Sequence, residues 1–304
     1  MAGQGSTRTI VVALIANVGI AAAKFVAAAI TGSSAMLTEG VHSLVDSTNQ
    51  LLLLYGRRRA AKPADELHPF GYGRELYFWS FVVAILVFAL GAGVSVYEGV
   101  LHILEPEPAV NPLIAFTVLG VAFALEGWST LAALKDFNSA RRGSIWQEIR
   151  TTKDATTLVI LLENSGALVG LVLAAAGLAL SLITGNPMWD GLASVLIGLV
   201  LGLLSILLLH EAKGLLIGEA ADPELVASIR GCADANAAIV SVQNVMTVHS
   251  SPTMVTAIIS ADFVDTITAR QLEEAVRDIE LQVAKAHPIV ARVYVRPHDP
   301  ALLR

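Results

Sequence analysis

Residues 33–56, SSAMLTEGVHSLVDSTNQLLLLYG, are numerous enough to cross a bilayer, yet they carry Glu39, His42 and Asp46. On a helix, residues three, four and seven apart share a face, so these three side chains form one polar stripe. At roughly 1.5 Å per residue, His42 and Asp46 lie about 10 and 16 Å along the helix from Ala35, which puts Asp46 near a bilayer midplane. Ionisable groups at that depth make either a buried structural ion pair or a metal or proton site on a transport pathway. The second is the default for such groups in membrane helices, and it is the reading adopted.

A soluble chain usually has about 25% charged residues. This one has 15%, with 55% hydrophobic residues and a mean hydropathy of +0.65. It reads as an integral membrane protein with six apolar segments, at 9–30, 35–56, 77–101, 112–134, 156–183 and 189–210. The connections sort by charge. Arg57, Arg58, Arg59, Lys62 and Arg74 lie between segments two and three, and Lys135, Arg141, Arg142, Arg150 and Lys153 between four and five. The other three connections contain no Lys or Arg, so the positive-inside rule puts both termini in the cytoplasm. The N-terminal residues read as neither a cleavable signal nor an Arg-rich amphipathic leader, which favours a prokaryotic inner membrane over an organelle. Cys232, the only cysteine, excludes an intramolecular disulfide and a Cys-based zinc cluster. A net charge of −6 offers no basic face to nucleic acid.

Other intramembrane polar groups are fewer. Lys24 in segment one is expected to pair with an acid on a neighbouring helix or to snorkel outward. Glu98 and His102 end segment three near enough to the surface to be wetted, whereas Glu126 in segment four lies deeper. Gly166 and Gly170, and Gly198 and Gly202, have the small-xxx-small spacing that lets helices approach. From Asp222 onward the pattern changes to a module of helix, two strands, helix and strand. The first helix starts at Asp222-Pro223, the strands are expected at 239–248, 254–262 and 289–295, and Thr268 caps the second helix. Residues 1–217 are thus expected to be a transmembrane domain and 218–304 a cytoplasmic domain, small enough that dimerisation through it would help its stability.

The other half of an intramembrane site should lie at similar depth on another helix. LLENSGALVG in segment five offers Glu163 and Asn164, about 10–15 Å in from the cytoplasmic side, the depth of Asp46. An imidazole, carboxylates and an amide oxygen suit Zn²⁺, or Mn²⁺, Fe²⁺ or Co²⁺ with added water. Residues 31–46, the HPFGYGR segment from His68 to Arg74, TGNPMWDGLAS around Asp190 and LEGWSTL at 125–131 together resemble the cation diffusion facilitator (solute carrier 30) family, most of all its mitochondrial zinc transporter branch. The resemblance covers the whole chain. It implies a homodimeric divalent-metal/proton antiporter with six transmembrane helices and a ferredoxin-like cytoplasmic α+β domain. It also implies a central site on His42 and Asp46, completed from helix five, where the family's His and Asp fall on Ile160 and Asn164. Glu163 is the expected replacement carboxylate.

The same resemblance maps a loop site onto Asp65, His68 and Tyr72, with the tyrosine removing one expected imidazole, so loop stabilisation competes with metal binding there. In the cytoplasmic domain His249, His298 and Asp299 read as exposed surface residues, and His287 as a helix-end cap. Asp190 either lines an exit vestibule or caps a helix. Metal and protons would compete for the same ligands, so no separate proton relay or cofactor is implied. Two rivals remain, an intramembrane metal-dependent hydrolase, against which stands the lack of HExxH, and a transport-dead scaffold.

Overall fold

The computed structural model describes residues 4–108, 110–140 and 155–298. The chain divides into two compact units, one of Met1–Arg58 with Phe78–Ala212 and the other of Arg59–Tyr77 with Lys213–Arg304. The loop between the second and third helices therefore groups with the C-terminal residues.

In the first unit the described residues form six long helices: α1 (Gln4–Thr31), α2 (Ser34–Ala60), α3 (Glu75–Leu104), α4 (Pro112–Ala140), α5 (Ala155–Thr184) and α6 (Met188–Ile217). Among the described residues four helices are long and apolar enough to cross a membrane: α3, α4 over Pro112–Leu131, α5 over Val159–Thr184, and α6. The apolar part of α1 that meets the same measure is the shorter Asn17–Thr31. Polar side chains keep α2 out of this group. Arg141, Arg142, Arg150 and Lys153 lie outside the described residues.

Two devices hold the polar α2 among apolar neighbours. At its N-terminus Gly32 takes φ +67°, a left-handed turn that glycine adopts without steric strain. Ser33 Oγ then accepts from Met36 N at 3.1 Å, an N-cap that satisfies one of the helix's orphan donors. Asp190, from the first turn of α6, accepts from Ser33 Oγ at 2.8 Å and from Ala35 N at 3.2 Å. Asp190 thus caps a neighbouring helix rather than lining a vestibule. Farther along, Lys24 of α1 donates to Glu39 at 2.9 Å and to Ser43 at 2.7 Å, with the lysine and glutamate fully buried.

Close approach elsewhere follows the glycines. A methyl group at Gly198 would lie 2.7 Å from Val96 Cγ2 and 3.0 Å from the Ala92 carbonyl, so α6 meets α3 nearly backbone to backbone. That contact adjoins a π-helical turn at Val87–Ala92, which widens α3 by one residue per turn there. His102, on the last turn of α3, lies 3.9 Å from Asp190 and is mostly buried, not wetted as its position suggests.

The second unit has the expected element order, α7 (Pro223–Asp234), β1 (Ile239–Ser251), β2 (Met254–Phe263), α8 (Ala269–Ala286) and β3 (Val290–Pro297). The sheet order is β1-β2-β3, with β1 antiparallel and β3 parallel to the central β2. A parallel pair needs a crossover, and α8 supplies it. Asp222 caps α7 through Glu224 N at 2.8 Å, and Thr268 with Gln271 forms a full capping box on α8. Strand β1 runs to Ser251, past the expected end at 248, because Ser251 still pairs with Met254 across a two-residue turn. Ile229, Ile259 and Ile279 are fully buried between helices and sheet. Arg292 of β3 donates to the Pro69 carbonyl at 2.9 Å and lies 5.1 Å from the Phe70 ring centre, which fastens the 59–77 loop to this unit.

Replacing Asp190 by Ala should leave Ser33 Oγ and Ala35 N buried without an acceptor, at a cost of about 1–3 kcal/mol. A lower thermal midpoint of the detergent-solubilised Asp190→Ala protein is the expected result.

Candidate metal centre in the helical unit

Glu39, His42 and Asp46 do share one face of α2, but their partners divide them. Glu39 is committed to Lys24, and a side chain at Gly170 of α5 would collide with its carboxylate. Its Oε2 is bound to Lys24, while Oε1 is buried without a hydrogen-bond partner. His42 Nε2 lies 3.5 Å from Asp46 Oδ2, too far for a hydrogen bond. Both His42 nitrogens and Asp46 Oδ1 are buried without a hydrogen-bond partner. Buried polar atoms are nearly always satisfied, so an imidazole and a carboxylate left open side by side need a physical reason. A cation bound between them is one.

On α5, Glu163 is 7% exposed and accepts a hydrogen bond from Asn49 Nδ2 of α2 at 2.7 Å. Glu163 therefore faces α2. Asn164, one residue and about 100° further round the helix, turns away to donate to Ser129 Oγ of α4 at 3.3 Å, and it is half-buried. Of the expected set His42, Asp46, Glu163 and Asn164, Glu163 is tied to α2 through Asn49, while Asn164 bonds Ser129 of α4. Among the described residues no group of three or more His, Cys, Asp or Glu is gathered closely enough to hold a metal ion. The donor chemistry suits Zn²⁺, and the helices hold it in an open arrangement.

Asn49 escaped the sequence reading. It lies three residues beyond Asp46 and seven beyond His42, on the same stripe, and it is fully buried. The period pointed to it, although an uncharged side chain does not announce itself as an acid does.

In the second unit, Asp65 and His68 are close but occupied. Asp65 Oδ1 accepts from His68 N at 2.7 Å, and Oδ2 from the Tyr72 hydroxyl at 2.7 Å. The His68 and Tyr72 rings stack with centres 4.2 Å apart. Both oxygens of Asp65 are spent on folding the loop, which supports the loop-stabilising role. His249 is buried rather than exposed, its Nδ1 3.3 Å from the Ser251 carbonyl oxygen. His287 is the C-cap of α8, as expected, and bonds Ser228 Oγ at 2.7 Å. Asp299 lies outside the described residues.

The helical unit has the apolar helices of a membrane protein, and among them His42 and Asp46 are buried without hydrogen-bond partners for the imidazole and for one carboxylate oxygen. The family model of the cation efflux transmembrane domain matches residues 10–217. The proton-coupled zinc antiporter SLC30A9 of Xenopus laevis, a mitochondrial protein by name, is 31% identical over 91% of this chain and 50% of its own length. The human protein of that name is 34% identical over 73% of this chain and 40% of its own. Metal tolerance protein C4 of Arabidopsis thaliana is 34% identical over 73% and 49%. The chain belongs to the cation diffusion facilitator family, whose members are transporters and not enzymes, and it falls with the SLC30A9-like proteins. It spans about half the length of these relatives. Two of the three are named as mitochondrial, which gives no support to the expected prokaryotic inner membrane.

The Tyr72 hydroxyl and the His68 amide hold the Asp65 carboxyl below its ordinary value of 3.8, and the same bond raises the Tyr72 phenol above 10.0. A depressed carboxylate stabilises the loop above the unfolded pKa, and that stabilisation is lost as pH falls through the folded one. Tyr72→Phe should therefore move the Asp65 midpoint up towards 3.8. A carboxyl-carbon NMR titration of both proteins measures this.

Proposed function

We propose that this chain exports a divalent metal ion, Zn²⁺ first among candidates, in exchange for protons by alternating access. The observation that carries the reading is the pair of buried, unpartnered groups His42 and Asp46 on α2, the helix to which Glu163 of α5 is tied through Asn49. The names of the relatives, proton-coupled zinc antiporters, support the same cargo and coupling. All six long helices span the membrane in this reading, with both termini cytoplasmic. Residues 1–217 conduct the ion, while residues 218–304, a ferredoxin-like domain, pair two copies into a homodimer.

Charge balance explains how the site would work. Asp46 and Glu163 together neutralise one divalent cation, and neutral His42 adds a nitrogen ligand, with water in a remaining position. Binding requires the carboxylates ionised and the imidazole neutral, so protons and metal exclude one another from the same atoms. The open arrangement leaves α2 and α5 a small movement by which to close on the ion, and reopening towards the far side would expose the ligands to protons. Asn164 enters as a ligand only if α5 rotates, since Ser129 holds it away. The loop pair Asp65 and His68 would hold a metal only after giving up the Tyr72 bond.

A transport-dead scaffold is the reading that the open ligand set would favour. Zinc flux into proteoliposomes under an imposed pH gradient separates the two, since a scaffold moves no metal. Asp46→Ala should abolish flux while leaving the protein folded. Glu163→Gln should lower zinc affinity about tenfold or more, because a charge-assisted interaction is worth roughly 1.5–3 kcal/mol. Isothermal titration of the solubilised variant checks this, and wild-type affinity in Glu163→Gln would remove Glu163 from the site.

A further inference from the structure

Glu163 is a long side chain with three rotatable bonds, and in a buried site such freedom works against a fixed metal geometry. Among the described residues its carboxylate receives one hydrogen bond, from Asn49 Nδ2 at 2.7 Å. Asn49 is itself on α2, fully buried, one turn beyond Asp46. Its amide nitrogen is spent on Glu163, and its Oδ1 is buried with no partner.

We propose that Asn49 is the positioning residue of the central site: through the Asn49 Nδ2–Glu163 Oε1 bond it turns the α5 carboxylate towards His42 and Asp46 of α2. The inference rests on Glu163 being a ligand, as proposed above. A neutral donor is the residue type this task requires. Lys24 shows the alternative, since an ammonium bonded to Glu39 fixes that carboxylate and also cancels its charge. An amide fixes Glu163 and leaves its full negative charge for a divalent cation.

A double-mutant cycle on zinc affinity tests the assignment, by isothermal titration of the full-length solubilised protein with zinc chloride. Asn49→Ala should weaken binding about tenfold or more, the loss of one hydrogen bond to a charged group. Asn49→Ser, which keeps a shorter neutral donor, should recover part of that loss and serves as the second variant if Asn49→Ala does not fold. Because Asn49 acts through Glu163, the loss should vanish in the Glu163→Gln background, so the double variant binds no worse than Glu163→Gln alone. Equal losses in both backgrounds would mean that Asn49 matters only for packing, which overturns the positioning role while leaving Glu163 a ligand. Wild-type affinity in Asn49→Ala would overturn it as well. Wild-type affinity in Glu163→Gln would bring down both this role and the ligand assignment on which it rests.

Discussion

The bond between Lys24 and Glu39 governs the interior of the helical unit. A buried lysine or glutamate left alone carries a desolvation penalty of several kcal/mol, and together the two offset much of it. The pair also sorts the acids. Glu39 and Asp46 sit two turns apart on the same stripe, yet one is neutralised by a cation from α1 and the other is not. With Gly170 leaving room for Glu39, α5 comes close to α2 at this level, and Glu163, two turns away on α5, meets Asn49 of α2.

Two carboxylates are fixed by two kinds of donor, and the difference in charge decides what each can do. The ammonium makes Glu39 part of the scaffold. The amide of Asn49 orients Glu163 without discharging it. Asp190 is a third case, since its charge meets the N-terminus of α2, where the amides of the first turn and the helix dipole stabilise an anion. Three buried acids therefore have three assignments before any ion arrives.

Much of this was legible in the chain. Periodicity alone marked the stripe on α2, and the strand and helix order of the second unit followed from turn and cap residues at Asp222 and Thr268. What the chain could not reveal were partners distant in sequence. Lys24 was expected to pair with an acid or to snorkel outward, and that it meets Glu39 depends on how α1 meets α2. Asp190 binds across 155 residues to Ala35, and nothing local to it says whether it caps its own helix or another. Glu163 and Asn164 are adjacent, so a 100° rotation decided between them, and that rotation is fixed by packing rather than by sequence pattern. His249 looked exposed because its strand alternates irregularly, with register shifts between Ile239 and Ser241, Val242 and Asn244, and His249 and Ser251.

The fastening of the 59–77 loop by Arg292 bears on how the molecule is made. The two partners stand 223 residues apart, and Arg292 lies in β3, which follows all six long helices. Domains tend to fold as the chain emerges, N-terminal parts first, but this unit is stitched from an early segment and a late one. Its loop must wait through the production of four more long helices before β3 exists to receive it. Closure over so long a separation is entropically demanding and slow, so this unit can close only after the long helices between its two segments have been made.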